Sequence, residues 1–133
     1  MEEPLHPQSS ILVKDNIAIR CDTAIVPLIT WLNSFDGIAT QWSCQGEPGG
    51  SYSPYFMLLV SNLDSFNQIL IVMDSFREAN PTYGYPQFDV WYRRGETKFN
   101  FNFNKLVPAD KSVSGCEIMQ QFQEYATRGI LNI

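Results

Sequence analysis

Phe88-Asp89-Val90-Trp91-Tyr92-Arg93-Arg94-Gly95-Glu96-Thr97-Lys98-Phe99-Asn100-Phe101-Asn102-Phe103-Asn104 alternates apolar and polar side chains on either side of a glycine. Successive side chains of a strand point to opposite faces, so a period of two over this length predicts two strands. Phe88, Val90 and Tyr92 share a face with Phe99, Phe101 and Phe103. The expectation is that Phe88, Val90, Phe99, Phe101 and Phe103 lie buried beneath a helix. Asp89, Trp91, Arg93, Lys98, Asn100 and Asn102 then project from the other side. A two-residue turn at Arg94-Gly95 or at Gly95-Glu96 keeps the two apolar faces together. The first sets Arg93 opposite Glu96 and the second sets it opposite Lys98. Charge favours the first and the position of the glycine favours the second.

Upstream, Tyr55-Phe56-Met57-Leu58-Leu59-Val60 is nearly all apolar and reads as a central strand covered on both faces. Asn62 or Asp64 caps a helix over about Leu63 to Glu78, striped by Phe66, Ile69, Leu70, Met73 and Phe76, which Asn80-Pro81 stops. An earlier helix, roughly Thr23 to Phe35, carries Ile25, Leu28, Ile29 and Leu32 at i, i+3, i+4, i+7. Asp22 or Thr23 caps it, and Pro27 falls near its first turn, where the missing N–H costs least. Gly37 ends the turn after it, and the strand Ile38 to Trp42 follows. Ile11-Leu12-Val13 and Ile17-Ala18-Ile19 flank the turn-prone Lys14-Asp15-Asn16, as a hairpin or one bent strand. Residues 1–10 read as a disordered tail. Downstream, Ser114-Gly115-Cys116-Glu117 fits a capping box opening a helix to about Arg128, with Gly129 as terminator. The expected fold is α+β, a mixed β-sheet of about five to six strands packed by three helices, in a single domain over 11–133.

The 133 residues suffice to bury a sizeable core without staples. A net charge of −5 argues against broad binding of nucleic acid through phosphate neutralisation. Cys21, Cys44 and Cys116 are odd in number, no C-x-x-C occurs, and the single histidine, His6, falls in the tail. Free thiols in a reducing, cytoplasmic setting are expected, with neither a disulfide framework nor a metal site. No apolar run approaches a membrane span, and the N-terminus lacks the layout of a signal peptide.

The strand ending Thr40-Gln41-Trp42 runs into Ser43-Cys44-Gln45-Gly46, where small polar donors and a glycine invite close approach of a ligand. A nucleophilic role for Cys44 is disfavoured because no imidazole other than His6 could activate it. Neither a Walker loop nor a G-x-G-x-x-G occurs. An aromatic plate, two cations and two amides on the polar face of strands 88–104 suit a planar, anionic ligand.

Ser43-Cys44-Gln45-Gly46, followed by Pro54-Tyr55-Phe56-Met57-Leu58-Leu59-Val60 and then a helix and further strands, resembles the wybutosine-synthesis methyltransferase family. Glu47 stands at the position of that family's motif arginine. The resemblance implies an enzyme that uses S-adenosylmethionine to modify a guanosine of phenylalanine tRNA, with S-adenosylmethionine as cofactor in that case alone.

From the residues themselves the expected function is binding of a nucleotide-like small molecule. The expected site joins the Ser43–Gly46 loop to the polar strand face, through Thr40, Ser43, Cys44, Gln45, Gly46, Trp91, Arg93, Asn100 and Asn102. The loop is expected to lie outside the core, so that Gly46→Val stays folded. Two further classes stand beside this one: an S-adenosylmethionine-dependent nucleoside- or tRNA-modifying enzyme, and a protein-interaction or homo-oligomerising module built on an exposed edge of the aromatic-rich strands.

Overall fold

The computed structural model describes residues 6–13, 17–47 and 52–131, the side chains of 129–131 excepted. The turn read at Lys14-Asp15-Asn16 lies outside the described residues, as does the start of the tail. The fold is α+β, with three α-helices and six strands among the described residues. The strands divide into two sheets, and every pairing is antiparallel rather than mixed.

Strands β1 (Gln8–Val13) and β2 (Ile17–Asp22) form a hairpin in which Gln8 lies opposite Asp22 and Val13 opposite Ile17. The last three residues of the stretch read as a disordered tail belong instead to β1, which begins at Gln8. A 3-10 turn, Thr23–Ile25, leads into α1 (Val26–Asn33), with Pro27 at its start. Ile25, Leu28, Ile29 and Leu32 are all fully buried, as their helical spacing requires. The start of α1 is capped from a distance. Leu28 donates its N–H to Oε1 of the buried Gln123 at 3.0 Å, and Gln123 Nε2 donates to the Ala24 carbonyl at 3.1 Å. One side chain thus satisfies the buried Leu28 N–H and holds the exposed Ala24 turn against α3.

The second sheet runs in the order β3 (Ile38–Cys44), β4 (Tyr55–Val60), β6 (Glu96–Asn102), β5 (Phe88–Arg93). Between β4 and β5 lies α2 (Leu63–Ala79), whose cap Asn62 accepts from the N–H groups of Asp64 and Ser65. The last helix, α3 (Gly115–Leu131), opens with Ser114 accepting from the Glu117 N–H at 3.2 Å. It continues through Gly129 rather than ending there. The turn between β5 and β6 is Arg94-Gly95, with φ of 53° and 80°, and Arg93 pairs with Glu96. Two successive positive φ values match the twist of the flanking strands, so Arg94 accepts the left-handed geometry and the charge-complementary register wins.

Register sorts the sheet into two faces. Toward the helices lie Ser43, Phe56, Phe101 and Phe88 in one row and Thr40, Leu58, Phe99 and Val90 in the next. Phe66 of α2 sits against Phe88 and Phe99 at ring-centroid distances of 5.2 and 4.5 Å, and Phe122 of α3 lies 5.8 Å from Phe103. Phe103 itself has left β6 and begins a 3-10 turn. Phe56, Phe101 and Phe103 are fully buried, while Phe88 and Phe99 are half-buried. Val90 departs from expectation: it is 58% exposed. It belongs to the edge strand, beyond the helix contacts made by Phe88, so the alternation is correct while the cover runs out. Among the described residues no helix is long and apolar enough to cross a membrane.

Candidate functional site

The face of the four-stranded sheet turned away from the helices carries the polar residues singled out by period two. Across the strands run Cys44, Tyr55 and Asn102, then Trp42, Met57, Asn100 and Asp89, then Ala39, Leu59, Lys98 and Trp91. Arg93 and Glu96 close the far end as a pair. Trp42 and Trp91 are each 54% exposed, and Lys98 Nζ lies 5.1 Å over the Trp42 ring. Met57, between the aromatic and amide side chains of this face, is buried. The face is therefore a plate with an apolar floor and two projecting indoles, and an ammonium sits between their strands.

Trp42 reaches this face through an irregularity. Thr40 pairs with Leu58 and Trp42 with Met57, so Gln41 is an extra residue in β3. Strict alternation from the inward Ile38 and Thr40 would turn Trp42 inward, and the bulge reverses it. Asn33 of α1 holds the approach to the bulge: its Oδ1 accepts from Thr40 N–H at 3.2 Å and its Nδ2 donates to Thr40 Oγ1 at 2.8 Å. Sequence reasoning missed that Trp42 stands on this face, since a single inserted residue has no signature in the alternation.

The expected site residues fall into two groups. Trp91, Arg93, Asn100 and Asn102 lie on the plate as expected, although Asn102 also accepts from Asn104 N–H and so caps the following 3-10 turn. Thr40 and Ser43 instead belong to the helix-facing rows. Cys44, Gln45 and Gly46 sit at the end of the sheet, packed between β2 and the start of α3. Gln45 donates its N–H to Asp22 Oδ2 at 2.8 Å. Gly46 is buried, with φ of 75°, and a β-carbon there would lie 2.7 Å from Pro54 N and 2.9 Å from Cys116 Sγ. The expectation that this loop lies outside the core is therefore corrected. A glycine is required here by the backbone and by its neighbours together.

Asp22 is the centre of this end of the molecule. It is 4% exposed and makes no side-chain cap to the 3-10 turn that it precedes. Its carboxylate accepts instead from Gln8 Nε2 and from Gln45 N–H. A ring nitrogen of His6, an oxygen of Asp22 and Cys44 Sγ lie within 4.8 Å of one another. His6 is thus docked rather than loose, and Nε2 of its ring is shielded from water without a hydrogen-bond partner. Burial pushes the Cys44 thiol above its ordinary pKa, and the charges of Asp22 and Glu47 add to this, against a lowering contribution from the Gly46 N–H. Burial likewise raises Tyr55, with Cys44 and Asp22 contributing. All three cysteines are free thiols. A separate groove of about 430 Å3 opens at the far end of the sheet between Gly37–Ala39, Leu59–Ser61 and Gly95–Thr97.

No protein-family model matches the chain, and neither characterised proteins nor solved structures give a significant match.

Proposed function

We propose that the uncovered sheet face binds a planar, anionic small molecule of the nucleotide type, with Trp42 and Trp91 stacking on its ring system and Lys98 neutralising its charge. The observation that carries this reading is the grouping of two half-exposed indoles with Lys98, whose ammonium lies 5.1 Å over one of them. Exposed indoles on a rigid sheet offer stacking worth about 1–3 kcal/mol per base. Asn100 and Asn102 add amide donors and acceptors that can read the edge of a base. The overall charge of −5 favours a single nucleotide over a polymer, which would need a broad cationic track.

Calorimetric titration with AMP, GMP and S-adenosylmethionine tests the reading and includes the methyl-donor alternative. Binding is expected to weaken about tenfold or more in Trp42→Ala and in Trp91→Ala, matching the stacking contribution. Lys98→Gln is expected to weaken nucleotides more than nucleosides. Absence of binding at millimolar concentrations, or binding indifferent to both tryptophans, counts against it. Preference for S-adenosylmethionine over the nucleotides would move the reading toward the enzyme class.

A second reading rests on the edge strand. Val90 and Tyr92, 58% and 75% exposed, stand on the helix side of β5, which among the described residues is an edge strand. Pairing of β5 with β5 of a second copy would bury both and remove the edge. Concentration-dependent mass in light scattering, abolished by Val90→Lys, would support this oligomerising role.

A further inference from the structure

We propose that His6, Asp22 and Cys44 together bind one divalent transition-metal ion of the zinc class, tying the lead-in to β1 and the ends of β2 and β3 into one unit. Imidazole, carboxylate and thiolate are the three ligand types that zinc takes. They arrive here from segments far apart in the sequence, yet one donor atom of each falls within 4.8 Å of the others. Donors around a tetrahedral zinc stand roughly 3.3–3.8 Å apart, as its bond lengths of about 2.0–2.3 Å require, and the trio lies near that spacing. Two features favour an ion over a mere cluster. Asp22 is a buried carboxylate with no cationic side chain bonded to it among the described residues, held by Gln8 and Gln45 in the manner of an oriented ligand. Nε2 of His6 is screened from solvent with no donor or acceptor answering it.

A thiol nucleophile activated by histidine fits less well. That arrangement places the imidazole between thiol and carboxylate. Here Asp22 accepts from Gln8 and Gln45, and no partner is bonded to His6 Nε2. Metal binding would displace the Cys44 thiol proton to solvent and leave the remaining coordination position to water. Cys116, whose sulfur packs beside Gly46, lies outside the trio.

The test is cobalt(II) titration of the full chain after chelator treatment, read by the thiolate-to-cobalt absorption band. One equivalent is expected to saturate the band, and zinc is expected to displace it. Cys44→Ser should abolish the band, His6→Gln should weaken binding at least tenfold, and Cys116→Ser should leave both unchanged. Circular dichroism confirms that each variant is folded; should Cys44→Ser fail to fold, His6→Gln decides, since it replaces a ring whose Nε2 bonds to nothing. The proposal is overturned if the wild type shows no saturable band. It is equally overturned if the band survives in Cys44→Ser, follows Cys116→Ser instead, or is indifferent to His6→Gln.

Discussion

Gly46 carries two demands at once, a positive φ and the absence of a β-carbon between Pro54 and Cys116. Gly46→Val meets neither, and the cost is expected to reach roughly 2–4 kcal/mol, from backbone strain and overpacking together. Thermal unfolding checks this, and a midpoint equal to the wild type would contradict it. Its neighbour Cys44 makes a different point. Because burial and the charges of Asp22 and Glu47 raise its thiol, the folded chain keeps that proton after an unfolded chain has lost it. The stabilisation is complete below the ordinary thiol range near pH 8.5 and is lost as pH rises through the higher folded value. Cys116 and Cys21 are raised by burial as well and act in the same direction. Alkylation of Cys44 by iodoacetamide should accordingly be slower at pH 8 than that of a free cysteine, with the melting temperature falling as pH rises past the ordinary thiol range. Faster alkylation than free cysteine would show an activated thiol.

The elements were largely legible because each had one dominant period. The stripe of Ile25, Leu28, Ile29 and Leu32 buried α1, and Phe99-Asn100-Phe101-Asn102 assigned both faces of β6 correctly. Two features of the strands were not legible. The extra Gln41 in β3 has no pattern of its own, and only pairing with β4 reveals that it re-aims Trp42. The order β3-β4-β6-β5 puts Val90 on an edge, and no local property of the sequence states which strand lacks a neighbour. That difference separates two apolar residues of one alternating face. Val90→Lys should change stability by less than about 0.5–1 kcal/mol, as at other exposed positions. Phe101→Ala, which empties a fully buried ring site, should cost about 3–5 kcal/mol. Denaturant midpoints compare the two directly, and equal effects would contradict the edge assignment.

At the scale of the molecule, three helices cover one face of a four-stranded sheet and leave the other as a plate, while the hairpin docks at the sheet's end near Cys44. The plate was foreseen in half: Trp91, Arg93, Asn100 and Asn102 were readable from alternation, and Trp42 was not. The grouping of His6, Asp22 and Cys44 was illegible, since it depends on Gln8 pairing with Asp22 and on the Gln45 contact, both long-range. On the proposed function the plate, and not the Cys44 end or the far groove, receives a planar ligand. The three tryptophans report on it separately: Trp31 is buried in the core, while Trp42 and Trp91 stand on the plate. Titration of a nucleotide into nitrogen-15-labelled protein, followed at the three indole N–H resonances, is therefore the most direct measurement. Saturable shifts at Trp42 and Trp91, with Trp31 unmoved, are the predicted result. Shifts confined to Trp31 or to residues around Gly37 and Thr97, or no shift at any indole while binding is detected, would contradict it.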